Sequence, residues 1–282
     1  MQSKVFSTNK TLNLGGRLLD LSTPKLMGIL NVTPDSFYDG DRYPTVSSAL
    51  SRAEQMIAEG AQILDVGGYS SRPGASDISE KEESDRVIPV IKSISQQFPD
   101  IHISCDTFRS GVAQKAIDVG AQMINDISAG QLDHEMTGVI ARHNIPYVVM
   151  HMKGTPQTMK SLAVYNDILQ EVSDYFLQKV HTLKGFGVKD VIIDPGFGFA
   201  KTVDQNFELI KKLELLKIHE QPLLVGLSRK SLIWKTLQTT PENALNGTTA
   251  LNAIALLKGA DILRIHDVKE AAEAVKLINF VR

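Results

Sequence analysis

The chain has 282 residues, of which 43% are hydrophobic and 22% charged, a composition typical of globular proteins rather than of disordered or fibrous ones. Its 30 basic residues nearly balance its 32 acidic ones, so no overall positive field favours nucleic acid or an anionic membrane as a partner. One cysteine excludes an intramolecular disulfide, and no apolar run approaches the ~18 residues of a membrane-spanning helix. Because the first residues also lack the apolar stretch of a signal peptide, we expect a soluble, cytoplasmic protein.

The first 20 residues are predicted to form a short antiparallel extension. Lys4–Ser7 and Thr11–Leu14 alternate around Asn9, and the pair Gly15-Gly16 suits the tight turn of a second hairpin. We expect this extension, residues 1–20, to form a lid over the N-terminal ends of the strands that follow.

Eight short apolar runs come next, each ending in polar or glycine-rich residues. Near-continuous apolar runs are typical of strands that are covered on both faces. Amphipathic segments alternate with these runs, and strand–helix alternation predicts right-handed crossovers and a parallel sheet. The predicted strands are Leu26–Leu30, Ile63–Val66, Ile101–Cys105, Met123–Ile124, Tyr147–Met150, Val191–Ile193, Leu223–Val225 and Ile262–Ile265.

Predicted helices separate most of these strands, and several end in a glycine before the next strand, as in Glu59-Gly60-Ala61. Eight strand–helix units in a chain of this length predict an α/β fold, a (β/α)8 TIM barrel, as a single domain over residues 1–282. A doubly wound open sheet is the alternative. The predicted helices are Ala49–Glu59, Arg86–Gln96, Gly111–Asp118, Leu169–Lys184, Gln205–Leu215 and Ala250–Lys258.

Polar residues cluster where the predicted strands end, and in a barrel these ends face one common mouth. A single aspartate at a strand end is equally well explained as a helix cap. Carboxylates, amides and three cations that meet at one mouth indicate a binding site instead. These residues are Asn31, Asp65, Asp106, Asn125, Asp126, His151, Asp194, Ser228, Lys230, Arg264 and His266.

The residue types at this mouth indicate the kind of ligand that it would bind. Asp106, Asn125 and Asp194 supply acceptors and one amide, which suit the amino-amidine edge of a flat heterocycle. Neighbouring strands bring cations that suit an anionic group or stacking over a ring. We therefore expect a ligand with a fused-ring head and an anionic tail. The cations are Lys230, Arg264 and His266.

Glycine-rich loops follow two of the strands. Residues 67–74 surround Arg72 with glycine, proline and hydroxyl residues, which favours a phosphate-holding or lid-forming loop. An ordinary turn with a solvated Arg72 fits this loop equally well. Residues 194–199 match neither the dinucleotide fingerprint nor a Walker motif. We expect them to let the backbone approach a ligand and to present Phe199 as a wall.

Short motifs stand at every predicted strand end: Met27–Phe37, Asp65–Gly74, Ser104–Thr107, Asn125–Ser128, Met150–Met152, Asp194–Phe199, Ser228–Ser231 and Arg264–Val268. Any one of them would be a weak signal, but all eight occur in the order typical of one family. Over essentially its full length, the chain resembles the dihydropteroate synthases, enzymes of folate biosynthesis. The resemblance implies a transferase that joins the pyrophosphate ester of 6-hydroxymethyl-7,8-dihydropterin to p-aminobenzoate, releasing pyrophosphate.

The resemblance also implies roles for individual residues, with Mg2+ as the cofactor and sulfonamides as inhibitors. The Mg2+ ligand would be Asn31. The pterin would be bound by Asp106, Asn125, Asp194 and Lys230, with Arg264 stacked on it, and the pyrophosphate by Ser71, Arg264 and His266. The p-aminobenzoate pocket would be formed by Arg72, Pro73, Phe199 and Ser228. The residues expected to act on the reacting groups are Asn31, Arg72, Lys230, Arg264 and His266.

Two residues depart from the family pattern. Tyr69 stands where the family usually has a glutamate, and Ala200 replaces a glycine. Neither position carries an implied ligand role, so the departures concern loop details. The family is usually dimeric, and the apolar late helices Ser231–Leu237 and Ala250–Lys258 permit a homodimer, although periodicity alone cannot separate such a face from barrel packing.

Two other functions compete with the synthase. A pterin-binding methyltransferase would share the barrel but would not require Asn31, the loop with Arg72, or the Arg264 and His266 pair. A non-catalytic pterin-binding paralogue would be expected to lose anion-site residues. All of these residues are present, which favours the synthase over both alternatives.

Overall fold

Parallel strands form the centre of the molecule and helices cover them. The computed structural model describes residues 10–33, 45–70 and 77–281. The strands of this part of the chain are β1 (Thr11–Leu14), β2 (Arg17–Asp20), β3 (Lys25–Asn31), β4 (Ile63–Gly67), β5 (His102–Asp106), β6 (Met123–Asp126), β7 (Tyr147–Met150), β8 (Val191–Asp194), β9 (Leu224–Val225) and β10 (Ile262–Ile265).

The helices occupy the crossovers between these strands. Within the described residues they are α1 (Val46–Glu59), α2 (Glu80–Gln97), α3 (Ser110–Asp118), α4 (Met136–His143), α5 (Ile168–Gly185), α6 (Val203–Lys211), α7 (Ser231–Thr236), α8 (Leu245–Leu257) and α9 (Val268–Ile278). Short 3-10 helices lie at Met159–Leu162 and Leu213–His219. No helix of the described ranges is both long enough and apolar enough to cross a membrane.

Strands β3 to β10 form one parallel sheet that curls into a barrel. Their order is β8-β7-β6-β5-β4-β3-β10-β9. A parallel bridge between Ile193 and Leu223 joins the two edges of this sheet, and the Ile193 amide donates to the Pro222 carbonyl at 3.0 Å. The (β/α)8 barrel is confirmed and the open-sheet alternative is wrong, because an open sheet leaves its edge strands apart. The single domain over residues 1–282 stays a prediction, since that span includes residues outside the described ranges.

The helices differ from the sequence prediction mainly in where they begin. Helix α6 begins at Val203 rather than Gln205, because Thr202 and Gln205 form a reciprocal capping box. The Thr202 hydroxyl accepts from the Gln205 amide at 3.2 Å, and the Gln205 side chain accepts from the Thr202 amide at 2.8 Å. Helices α4 and α9 were not predicted; α4 has only 8 residues, too few for a clear apolar period.

The predicted N-terminal lid is present as the hairpin of β1 and β2. Gly15 and Gly16 turn it with φ of 61° and 90°, values that suit a two-residue hairpin turn. Leu12 and Leu14 are fully buried in a cluster with residues from the first half of each contributing barrel strand. These partners are Met27, Ile63, Met123, Val148, Ile192, Leu224 and Ile262. The hairpin therefore closes the N-terminal end of the barrel; Lys4–Ser7 lies outside the described residues.

Truncating Leu12 tests the contribution of this plug. We expect Leu12→Ala to lower the free energy of unfolding by about 3 kcal/mol, because it leaves a cavity among fully buried side chains. The matched control is Leu18→Ala in the same hairpin, which removes a side chain that is 73% exposed and should change stability by less than about 0.5 kcal/mol. Urea unfolding followed by circular dichroism measures both, and equal effects would contradict the packing described here.

Candidate functional site

The C-terminal ends of four neighbouring strands carry one continuous row of residues. Asn31 on β3 pairs with Gly67 on β4, Gly67 pairs with Asp106 on β5, and Asp106 pairs with Asn125 on β6. A side chain at Gly67 would lie 3.3 Å from the Asp106 Cβ, so glycine leaves the space beside that carboxylate open. Three of the sequence-predicted residues, Asn31, Asp106 and Asn125, therefore lie in one row at the mouth of the barrel.

Arg264 links this row to the opposite side of the mouth. Its Nε donates to Asp65 Oδ2 at 2.6 Å, and its Nη2 donates to Asp106 Oδ2 at 2.5 Å. Asn125 Nδ2 donates to the same Asp65 oxygen at 2.9 Å. The guanidinium plane is thus fixed by two carboxylates on adjacent strands, which leaves it little freedom to rotate.

Asp65, which the sequence placed at the mouth without a ligand role, connects the two sides of the network. It is completely buried, and it orients both Arg264 and Asn125. Its Oδ1 has no hydrogen-bond partner in the described part of the chain. Such an orphaned buried carboxylate oxygen is costly unless a further donor reaches it. The available signal was an aspartate inside an otherwise apolar strand, Ile63–Gly67.

The protonation of Asp106 is set by opposing effects. Burial raises the pKa of Asp106 to about 7, while the Arg264 guanidinium lowers it and the Asp65 carboxylate raises it. For Arg264, burial lowers the pKa but the carboxylates of Asp65 and Asp106 outweigh it, so that the pKa is raised and the guanidinium stays charged. The mouth therefore holds a permanently charged guanidinium beside Asp106, a carboxyl group whose own charge responds to pH.

On the far side of the mouth, Lys230 faces the glycine-rich turn after β8. Its Nζ donates to the Phe197 carbonyl and lies 5.0 Å from the centre of the Phe199 ring. Burial lowers the pKa of Lys230 to about 8, although Asp194 counteracts the effect. Burial likewise raises the pKa of Asp194, whose Oδ1 accepts from the Gly196 amide at 2.8 Å. This side pairs a carboxylate with an amine that can lose its proton near neutral pH.

His266 is oriented by Ser228. The Ser228 Oγ accepts from the His266 backbone amide at 3.1 Å and lies 2.9 Å from its ring Nδ1. His266 Nδ1 and Ser228 Oγ share one hydrogen bond in which either atom can be the donor, because a hydroxyl both donates and accepts. Ser228, predicted as part of the p-aminobenzoate pocket, therefore also orients the ring of His266, a predicted pyrophosphate ligand.

Arg229 fixes the turn that carries Ser228 and Lys230. It stands in the left-handed region, with φ of 53°. Its Nε and Nη2 donate to the two oxygens of Asp267 at 2.9 and 2.7 Å, and its Nη1 donates to the Glu242 carbonyl at 2.8 Å. This bidentate pair joins the turn after β9 to the start of α9, and sequence inspection missed it because the partners lie 38 residues apart.

The two departures from the family pattern have local explanations. Ala200 has φ of 47°, the left-handed region that glycine adopts more cheaply, and its carbonyl accepts from the Tyr165 hydroxyl at 2.9 Å. The Tyr69 ring meets the Phe108 ring edge-on at 5.0 Å, and its hydroxyl accepts from Gln157 Nε2 at 3.2 Å. Tyr69 thus replaces a charge with an aromatic contact between two loops.

Several predicted site residues cannot be located. Ser71, Arg72 and Pro73 lie outside the described residues, and so do residues 34–37 of the first loop. Asn31, the predicted metal ligand, ends β3 and is partly exposed. The described residues contain no cluster of three or more His, Cys, Asp or Glu side chains that could hold a metal ion. Mg2+ commonly takes one or two protein oxygens, with water and phosphate completing its shell, so a partly exposed amide oxygen fits this ion.

The chain is similar in sequence and in structure to known proteins over most of its length. Residues 27–266 match the family model described as pterin binding enzyme. The dihydropteroate synthase of Synechocystis is 45% identical over 89% of this chain and 88% of its own length. That of Escherichia coli K12 is 42% identical over 93% of both chains. A crystal structure of Yersinia pestis dihydropteroate synthase with a sulfonamide drug complex superposes with a TM-score of 0.92 at 39% identity, covering 96% of this chain and 99% of that one. The structure of Xanthomonas albilineans dihydropteroate synthase with 4-aminobenzoic acid superposes with a TM-score of 0.91 at 37% identity, covering 97% of this chain and 98% of that one.

The raised pKa of Asp106 has a consequence for stability. Between its ordinary value of 3.8 and about 7, the folded protein keeps a proton on this carboxyl that the unfolded chain has lost. The resulting stabilisation is complete below pH 3.8 and is lost as pH rises through 7. We expect the free energy of unfolding of the wild type, relative to Asp106→Asn, to fall across this interval in urea titrations. A difference that stays constant with pH would show that Arg264 keeps Asp106 ionised throughout.

Proposed function

Because the chain belongs to the dihydropteroate synthase family, we propose that it condenses 6-hydroxymethyl-7,8-dihydropterin pyrophosphate with p-aminobenzoate. The C–O bond between the pterin methylene and pyrophosphate breaks, a C–N bond to the amine forms, and the amine releases one proton. The observation that carries this proposal is the network of Asp65, Asp106, Asn125 and Arg264 across the barrel mouth, facing Lys230. It combines acceptors for a flat heterocycle with a fixed cation.

The pterin head would lie between the two sides of this mouth. Its amino-amidine N–H groups suit the carboxylates of Asp106 and Asp194, and the Asn125 amide can both donate and accept. The Lys230 amine suits a ring carbonyl or ring nitrogen. The guanidinium of Arg264 is held flat by its two ion pairs, which makes its face available for stacking on the ring. Recognition would therefore use a preorganised set of groups.

The pyrophosphate tail would be bound by the cationic end of the same mouth. Arg264 carries a permanent charge, and Ser228 orients the ring of His266. Asn31 would bind Mg2+, which when present neutralises charge on the leaving pyrophosphate. Departure of the leaving group is then assisted by preorganised groups. These groups need not move during the reaction, so no free energy is spent on rearranging them.

The amine of p-aminobenzoate is a weak nucleophile, so we infer that pyrophosphate departs before the amine attacks. The carboxylates around the pterin would stabilise the developing positive charge on its methylene. Phe199 and Ser228 would contact p-aminobenzoate, and the relative from Xanthomonas albilineans, whose structure holds 4-aminobenzoic acid, supports this class of substrate. Ser71, Arg72 and Pro73 stay predicted members of the same pocket, and the cytoplasmic location stays a prediction.

A steady-state assay of pyrophosphate release tests the proposal, with each substrate omitted in turn and with Mg2+ present. We expect steady-state formation of dihydropteroate to require both substrates. Lys230→Ala and Arg72→Ala should lower kcat/KM by about tenfold to a hundredfold, the effect typical of losing a charged hydrogen bond. Lys235→Ala is the matched control, because Lys235 is exposed on α7 and lies near the Trp234 ring instead of the mouth.

The alternatives give different results in the same assay. Pyrophosphate release without p-aminobenzoate would support early departure of the leaving group. Pterin binding in calorimetry without any turnover would favour the non-catalytic paralogue. Methyl transfer from methyltetrahydrofolate to a corrinoid protein would favour the methyltransferase. A folded protein that forms no dihydropteroate under these conditions would contradict the proposed function.

We also propose that the chain forms a homodimer through its late helices. Helix α8 is apolar around most of its circumference. It exposes Ile254 and Leu257, and Leu237 after α7 is 54% exposed. A helix that is apolar on its outer face as well as its inner face buries both faces when two copies pair.

A double substitution on α8 tests this interface. We expect Ile254→Glu with Leu257→Glu to convert a dimer to a monomer in size-exclusion chromatography with light scattering, because charges would be buried between the copies. Leu177→Glu is the matched control, since Leu177 is 63% exposed on α5, a helix from an earlier crossover. A wild-type mass equal to one chain at micromolar concentration would contradict the dimer.

A further inference from the structure

Lys201 is a partly buried lysine that takes no part in the proposed reaction. It follows the glycine-rich turn after β8 and precedes the cap of α6. Its Nζ lies 3.0 Å from the carbonyl oxygens of Gly196 and Phe199, 3.0 Å from His151 Nδ1 and 3.3 Å from the His151 carbonyl. An ammonium has three N–H donors, so these four acceptors use its full capacity.

The acceptors of Lys201 come from two different loops. His151 follows β7, whereas Gly196 and Phe199 belong to the turn after β8. The two loops are in close contact, because a Cβ on Gly196 would lie 2.2 Å from the His151 carbonyl oxygen. Two backbone carbonyls that approach each other without a donor between them repel, and the Lys201 ammonium supplies that donor.

Two lysines donate hydrogen bonds to different backbone carbonyls of the turn after β8. Lys230 takes the Phe197 carbonyl from the side of the barrel mouth, and Lys201 takes those of Gly196 and Phe199. The Phe199 ring lies 5.0 Å from Lys230 Nζ. The position of this ring beside the mouth therefore depends on the Phe199 backbone carbonyl, which accepts a hydrogen bond from Lys201.

We propose that Lys201 is a positioning residue that sets the place of the Phe199 wall in the p-aminobenzoate pocket without touching either substrate. This inference rests on the proposed function. It assigns to Lys201 an effect on the second substrate and little effect on pterin binding, because the pterin groups on β5, β6 and β10 are held by their own network.

The charge on Lys201 varies near neutral pH. Burial lowers the pKa of Lys201 to about 7, with Asp194 raising it and Lys230 and Lys153 lowering it. His151 is neutral in this range, because burial and the nearby lysines lower its pKa to about 2. Above pH 7 the neutral amine has two N–H donors for these four acceptors, so its hold on the carbonyls of the turn, including that of Phe199, is weaker.

The test compares Lys201→Met with the wild type, since methionine keeps the length of the side chain and removes its donors. We expect the KM for p-aminobenzoate to rise by roughly tenfold to a hundredfold, the effect of displacing a positioning group by about 1 Å. The Kd for a pterin substrate analogue, measured by calorimetry, should change less than about twofold. Lys212→Met is the matched control, because Lys212 makes a surface ion pair with Glu208.

A pH series on the wild type gives a second measurement that needs no variant to fold. With pterin pyrophosphate saturating, the KM for p-aminobenzoate should be low below pH 7 and should rise above it. In Lys201→Met, if folded, this dependence should be absent, whereas the titrations of Asp106 and Lys230 are common to both proteins. Adding Phe199→Ala should remove most of the effect of Lys201→Met on KM.

The outcomes separate this inference from the proposed function. Turnover by the wild type with an unchanged KM for p-aminobenzoate in Lys201→Met, or a flat pH series, would overturn the positioning role and leave the synthase activity standing. An equal loss of pterin and p-aminobenzoate binding would show a purely structural role and would also overturn it. A folded wild type without turnover would contradict both proposals.

Discussion

The pairing of Arg264 with Asp65 and Asp106 is the interaction on which the site depends. An unpaired guanidinium among buried groups would cost several kcal/mol, and so would either carboxylate alone. The arginine lies on β10 and its partners lie on β4 and β5, so the pairs form only when β10 has paired with β3. Pairing of the first and last barrel strands and assembly of the charged mouth therefore depend on each other.

The two ends of the barrel illustrate how one architecture separates stability from chemistry. At the N-terminal end, apolar side chains of the hairpin fill the space between the strands. At the other end, burial and the neighbouring charged groups shift the pKa values of Asp106, Lys230 and Lys201. Ala200 and Arg229, both with positive φ, also lie at this end, in the loops that follow β8 and β9.

The sequence predicted the eight barrel strands well, because strands covered on both faces appear as short apolar runs that glycine turns delimit. It also predicted which polar residues share the mouth, since strand ends can be counted. It did not predict Asp65 as the partner of Arg264, because 199 residues separate them and only the closed barrel brings them together. Lys201 was missed for a related reason: its partners are backbone carbonyls, which have no signature in a sequence.

The N-terminal hairpin also has a consequence for the order in which the chain folds during synthesis. Leu12 packs with Ile192, Leu224 and Ile262, and the Asn13 amide donates to Asp190 Oδ2, a residue 177 positions later. The hairpin therefore cannot complete its packing until the chain has been translated as far as Ile262. Until then its leucines are exposed to solvent or bound by a chaperone, because contacts of such long sequence separation form late.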